Sequence, residues 1–156
     1  MKLFLIRHAE AVSDEVAGGD HDRWLSARGR DAARGLARLL REQHVALDAV
    51  IASPLPRAVQ TAELVATGLD FLGPIEIEPS LAPGFHPRGV VDRLPRRGQA
   101  IAIVGHEPSI SAITALLLGQ PSFPAFRTAQ CCAIERGAPT FTARSDVMQV
   151  HALVVE

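Results

Sequence analysis

Leu3-Phe4-Leu5-Ile6-Arg7-His8-Ala9-Glu10 is the stretch that decides how the chain is read. Four apolar residues run directly into an arginine and a histidine. A short unbroken apolar run fits a strand buried on both faces, as in a parallel sheet. Arg7 and His8 then fall at the strand's carboxyl end, where open α/β sheets hold their ligands. Arg7 brings a permanent planar cation, and His8 a nitrogen able to attack at neutral pH.

Outward from this strand (residues 2–6), the pattern repeats with variations. Residues 9–24 are polar, contain Gly18-Gly19-Asp20 and read as a long loop of the kind that often carries function. A helix is expected over 30–43, with Leu36, Leu39, Leu40, Ala32 and Ala33 on one face and Ser26 as N-cap. Residues 49–52 form a second strand, followed by Ser53-Pro54-Leu55-Pro56-Arg57 and a helix over 55–67. Ser53 is expected to cap that helix, with the prolines where a first turn tolerates them.

Residues 75–77 read as a weak edge strand, 79–89 as loop and 90–94 as a short helix. Residues 100–104 are an apolar buried strand ending in Gly105-His106-Glu107-Pro108, and a helix follows over 109–118. A proline-bearing loop over 119–128 leads to strands near 129–135, 139–143 and 149–154. Strands alternating with helices predict a three-layer α/β/α fold with a mostly parallel central sheet.

The 156 residues suit a single domain, 1–156, able to bury a core without disulfides or metals. With 47% hydrophobic residues the chain is no disordered segment. Its 16 basic and 17 acidic side chains argue against a coat for nucleic acid or an anionic membrane. Cys131 and Cys132, the two cysteines, are adjacent and read as reduced apolar residues in a cytoplasmic protein. The apolar run after Met1-Lys2 is too short for a signal peptide, and no stretch reaches the length of a membrane span.

Three apolar strands thus deliver basic groups just past their ends: Arg7 and His8, Arg57, and His106. Each has an ordinary explanation alone: a structural histidine, a solvated helix arginine, a glycine-histidine turn. Together at one sheet end they describe a site for a phosphate-sized anion. Clustered buried basic groups are unfavourable unless an anion or carboxylates answer them. The helix N-termini after Ser53 and Pro108 would add backbone N–H groups. No metal is expected: the six histidines lack metal-ligand spacing. Asp20-His21-Asp22 reads as a solvated loop, and no glycine-rich nucleotide phosphate loop is present. Trp24 is expected as a packing anchor. Arg88, Arg93, Arg96 and Arg97 form a basic cluster expected to be a solvated helix face or a meeting point for an acidic protein.

Arg7-His8-Ala9, Ser53-Pro54-x-x-Arg57-Ala58-x-x-Thr61-Ala62 and Gly105-His106-Glu107-Pro108, with the intervening Leu25-Ser26-x-x-Gly29, resemble the motifs of the histidine phosphatase (phosphoglycerate mutase-like) superfamily. The short region over 79–98, where larger members carry an insertion, is similar to the compact SixA-type phosphohistidine phosphatase branch. The resemblance implies a phosphoglycerate mutase-like fold and a metal-independent, cofactor-free phosphatase. In it His8 is the phosphorylated nucleophile, and Arg7, Arg57 and a cationic His106 hold the phosphoryl oxygens. Ala9 stands where typical members have glycine. The proton donor of larger members lies in the missing insertion, which leaves Glu10, Asp14, Glu78 and His86 as substitutes. An alkoxide leaves poorly without a proton, so phosphohistidine in proteins is the expected substrate. The alternatives are a broad small-molecule phosphomonoesterase and a non-catalytic phosphate or phosphoprotein sensor. The expected partner is a phosphorylated protein or small molecule, with neither nucleic acid nor membrane, and the chain is expected to be a monomer.

Overall fold

The computed structural model describes residues 1–145 and 147–150. Its centre is one seven-stranded sheet in the order β3-β2-β4-β1-β5-β6-β7. The strands are β1 (Lys2–Arg7), β2 (Ala49–Ala52), β3 (Ile75–Ile77), β4 (Ala100–Gly105), β5 (Gln130–Glu135), β6 (Ala138–Arg144) and β7 (Val147–Val150). β1, β2, β3 and β4 run parallel, while β5, β6 and β7 extend the sheet antiparallel from β1.

Alternation along each strand builds two cores, one per sheet face. Phe4 and Ile6 pack with Val50, Ala52, Ala102 and Val104 against Leu36 and Leu40 of helix α2 (Ala27–Glu42) and Ala62 and Val65 of helix α3 (Pro56–Gly68). Leu3 and Leu5 pack with Ile51, Ile101 and Ile103 against Val90 of helix α4 (Arg88–Arg93) and Ile110 and Ile113 of helix α5 (Ser109–Leu118). Helices therefore cover both faces, which is the three-layer α/β/α arrangement. The same alternation sends Cys131 to one core and Cys132 to the other, so the adjacent thiols are both free and buried. Burial raises both thiol pKa values, that of Cys132 to about 11.

Several local expectations shift. A helix α1 (Asp14–Ala17), capped by Ser13, lies inside the predicted loop; four residues are too few to show a period. The bridge between Ala11 and Leu25 holds the two ends of that loop together. Leu25 turns inward at that bridge, and its neighbour Trp24 faces out, 39% exposed. The expected tryptophan anchor is thus replaced by Leu25, since successive extended residues point to opposite sides. α2 starts three residues earlier than the apolar period suggested, where Ser26 Oγ accepts from Gly29 N. β5 begins at Gln130 because Ala129 is left-handed, with φ 54°. Gly105 is an extended residue paired with Arg7 and not a turn glycine. The tail strand expected over 149–154 overlaps β7 at residues 149 and 150; the remainder lies outside the described residues. No helix among the described residues is long and apolar enough to cross a membrane.

Candidate active site

β2, β4 and β1 are neighbours, and their carboxyl ends lie level: Ala52 pairs with Val104, and Arg7 with Gly105. The sequence places a reactive residue just past each end, so the sheet brings them together. The His8 and His106 ring centroids are 5.0 Å apart, with the planes at 55°. Arg7 and Arg57 are close enough to depress the pKa of both imidazoles. His8, Arg57 and His106 are all buried, at 7%, 4% and 3% exposure.

The backbone pins His8 from both sides of its strand. Its N–H donates to the Gly105 carbonyl at 3.0 Å, and its own carbonyl accepts from Ala129 N at 3.1 Å. Its Nδ1 lies 2.7 Å from the Ala9 carbonyl oxygen. A carbonyl can only accept, so Nδ1 carries the proton and the lone pair resides on Nε2. Burial lowers the His8 pKa to about 4, with Arg57, Arg7 and Arg23 acting in the same direction against the Ala9 hydrogen bond. His8 is therefore neutral, with one nitrogen ready to form a bond.

Each arginine is oriented by a main-chain carbonyl. Arg7 Nη1 donates to the Phe126 carbonyl at 2.8 Å. Phe126 N in turn donates to Glu107 Oε1 at 3.2 Å, and Glu107 Oε2 accepts from Ser111 Oγ at 2.7 Å. Arg57 Nη1 donates to the Asp20 carbonyl at 2.7 Å, and its Nη2 lies 3.4 Å from the Asp20 carboxylate. Thr61 Oγ1 donates to the Arg57 carbonyl at 2.7 Å and accepts from Ala9 N at 3.0 Å, tying α3 to the residue after His8. Burial opposes ionisation of Asp20, but Arg57 and Arg23 prevail and hold its carboxyl below the usual range.

The charge expected of His106 in contact with a phosphoryl group is not its charge in the empty site. Burial first, then His8, Arg57 and Arg7, lower its pKa to about 3, with Asp20 opposing. It is neutral and not cationic in the unliganded protein. Its Nε2 lies 2.7 Å from Ser53 Oγ. Ser53 is likewise not the expected helix cap: Leu55 occupies that position, with Pro56 opening α3 and no side-chain cap bond.

Three buried side-chain polar atoms among the described residues have no hydrogen-bond partner in the protein: Arg7 Nε, Arg57 Nε and His106 Nδ1. Such groups are rare in folded proteins, because each lost bond costs about 1–3 kcal/mol. All three belong to this one cluster. Two are guanidinium N–H groups, which can only donate, so the cluster is complementary to an acceptor-rich anion.

Residues 3–82 match the histidine phosphatase superfamily (branch 1). The chain is 32% identical over 149 residues to the phosphohistidine phosphatase SixA of Escherichia coli K12, covering 90% of this chain and 91% of that one. The chain belongs to the histidine phosphatase superfamily. A solved structure of the protein histidine phosphatase SixA complexed with tungstate superimposes with a TM-score of 0.83 and 28% identity, over 93% of this chain and 96% of that one. The alpha-ribazole phosphatase of Shigella flexneri shares the fold, with a TM-score of 0.69 and 24% identity over 89% and 93% of the two chains. As a histidine phosphatase the chain is a hydrolase, which favours enzyme over sensor.

Other candidates lie differently. Glu10 accepts from Ser26 Oγ at 3.0 Å, and Asp14 pairs with Arg23 at 3.4 Å. His86 accepts from Arg88 N at 3.2 Å on an exposed segment. Glu78 is buried and answered by Ser80, Arg93 and Arg97. Its carboxyl pKa is lowered: burial pushes it up, but hydrogen bonds from Ser80 and Arg93 overcome that. Arg97 also pairs with Glu76 at 2.7 Å, so two arginines of the basic cluster are already neutralised. Sequence reading missed the parts played by Asp20, Ser53, Thr61, Glu107 and the Phe126 carbonyl. Thr61 and Glu107 stood in the quoted motifs; a main-chain carbonyl leaves no sequence signal.

The neutral imidazoles predict an acid-sensitive fold. An unfolded chain protonates both near the ordinary histidine pKa of about 6.5. The folded chain does so only near 4 and 3. Between those limits the unfolded state holds more protons, so stability falls as pH drops through the window. Urea unfolding at pH 5 is expected to give a free energy on the order of 2–4 kcal/mol below that at pH 7. Equal or greater stability at pH 5 would contradict the buried neutral pair.

Proposed function

We propose that the chain is a metal-independent phosphatase that passes a phosphoryl group through Nε2 of His8 and acts on phosphohistidine in proteins. The observation that carries the reading is the coincidence of three unpaired donors and acceptors around a neutral imidazole whose lone pair is already directed outward from the Ala9 hydrogen bond. A tungstate-bound relative supports it, because tungstate is a tetrahedral oxyanion of the shape of phosphate.

In the first step Nε2 of His8 bonds to phosphorus as the phosphorus–nitrogen bond of the substrate breaks. The leaving imidazole takes its proton from water, and the hydroxide so formed is neutralised by the proton that the attacking water gives up in the second step. In the second step water attacks phospho-His8, the new phosphorus–nitrogen bond breaks, and inorganic phosphate leaves with His8 neutral again. Phosphoryl transfer needs positioning and charge stabilisation more than covalent help. Arg7 and Arg57, each oriented by a backbone carbonyl, present their free N–H groups to the equatorial oxygens. His106 presents Nδ1 to the same group, and the dianion's charge raises the affinity of that imidazole for a proton.

Phosphohistidine follows from the carboxylates. Asp20 touches the cluster but is held ionised by Arg57 and Arg23, while Glu10, Asp14 and Glu78 are engaged elsewhere. An alkoxide would leave without a proton donor; an imidazole needs none of comparable strength. The described residues share one sheet, and we infer a single-domain protein that acts as a cytoplasmic monomer. A panel of phosphohistidine protein, phosphoserine peptide and sugar phosphate tests the reading. The first is expected to have the highest kcat/KM by at least about 10²-fold, the usual scale of a missing acid. Equal or faster turnover of the esters would favour a broad phosphomonoesterase.

A further inference from the structure

We propose that Ser53 is a positioning residue that fixes the neutral tautomer of His106, so that Nδ1–H rather than a lone pair meets the phosphoryl oxygen. The proposal rests on the reading that His106 faces the transferred group. It starts from the hydroxyl. Ser53 is fully buried at the end of β2, its N–H donating to the Val104 carbonyl at 3.0 Å. Its Oγ accepts from Leu55 N at 3.3 Å and lies 2.7 Å from His106 Nε2.

A serine hydroxyl has one proton to give and two lone pairs. With Leu55 N–H accepted, His106 Nε2 is the partner at hand for that proton. If Ser53 donates, Nε2 holds the lone pair and the proton of the neutral ring sits on Nδ1. If instead Nε2–H donated to Oγ, the hydroxyl proton would lack an acceptor. Nδ1, buried and without a protein partner, would then turn a lone pair on an oxyanion. Only the first arrangement satisfies the serine and matches the two guanidinium Nε–H groups around it.

The groups acting on His106 include Arg7 at the end of β1, His8 just past it, Arg57 from α3 and Asp20 from the loop. Three of these disfavour a second proton, so the neutral tautomer governs how the empty site receives an anion.

The test reads the tautomer directly. Two-bond 1H–15N spectra of the resting protein at pH 7.5, assigned with His106→Gln, are expected to show His106 as the Nδ1–H form. Ser53→Ala is expected to shift the ring toward Nε2–H and to weaken tungstate binding about tenfold, the scale of one hydrogen bond. Ser53→Thr, which keeps the hydroxyl, is expected to restore both. A wild-type His106 in the Nε2–H form would overturn the proposal, even if Ser53→Ala fails to fold. So would a folded Ser53→Ala protein with unchanged tautomer and tungstate affinity. Turnover separates the two readings. A wild-type Nδ1–H ring in a protein that hydrolyses no phosphorylated substrate would sink the phosphatase function and leave the Ser53 assignment standing.

Discussion

His8→Ala is expected to lose turnover by on the order of 10⁵–10⁶-fold, the scale seen when a covalent nucleophile is removed. The argument starts from bonding. His8 Nδ1 is committed to the Ala9 carbonyl at 2.7 Å, and only Nε2 can accept phosphorus. Alanine removes that atom while keeping the backbone bonds to Gly105 and Ala129 that hold the strand end. The anion clamp survives, since Arg7 is oriented by Phe126 and Arg57 by Asp20, neither through His8. The variant should therefore still bind tungstate while releasing no phosphate and forming no acid-labile phosphoprotein. It should also be less acid-sensitive than the parent, because one of two buried imidazoles with depressed pKa has gone. Phosphate release at near-normal rate by a folded His8→Ala protein would mean that the phosphoryl group never resides on this residue.

How much of this could be read from the chain depends on how local each feature is. β1 and β4 were legible because both their faces are buried, which leaves an unbroken apolar run. The four basic residues were legible because each follows a strand end within a few positions. Whether they meet is a matter of strand order, and it is β4 inserting between β1 and β2 that brings Arg57 and His106 beside His8. Ser53 was misread for a related reason. A serine before a proline looks the same whether it caps a helix or serves a partner, and its partner His106 is 53 residues away. The charge of His106 follows from enclosure among Arg7, Arg57 and His8, which motif spacing does not express. Asp20 was hidden inside a loop whose composition suggested solvent, yet its main-chain carbonyl is what orients Arg57.

Gly29→Ala is expected to destabilise the fold by about 3 kcal/mol or more, the upper range for overpacking a closed contact. On helix propensity alone the change should stabilise α2 by up to about 1 kcal/mol. The packing decides otherwise. A Cβ on Gly29 would stand 1.9 Å from the Glu10 carbonyl oxygen and 2.9 Å from its carbon. That oxygen cannot simply retreat, because it accepts from Ser26 N at 3.0 Å in the turn that caps the helix. Relief requires moving either the N-terminus of α2 or the backbone at Glu10, two residues beyond His8. A displacement of about 1 Å at a reacting group can cost on the order of 10²-fold in rate, so turnover should fall along with stability. Gly35→Ala is the internal control. It lies in the same helix, and its Cβ would meet no atom of the described residues closer than 3.5 Å, so propensity should prevail there. Urea unfolding of both variants separates the effects. A Gly29→Ala protein as stable as Gly35→Ala would mean that the close approach of α2 to the strand end does not hold His8 in place.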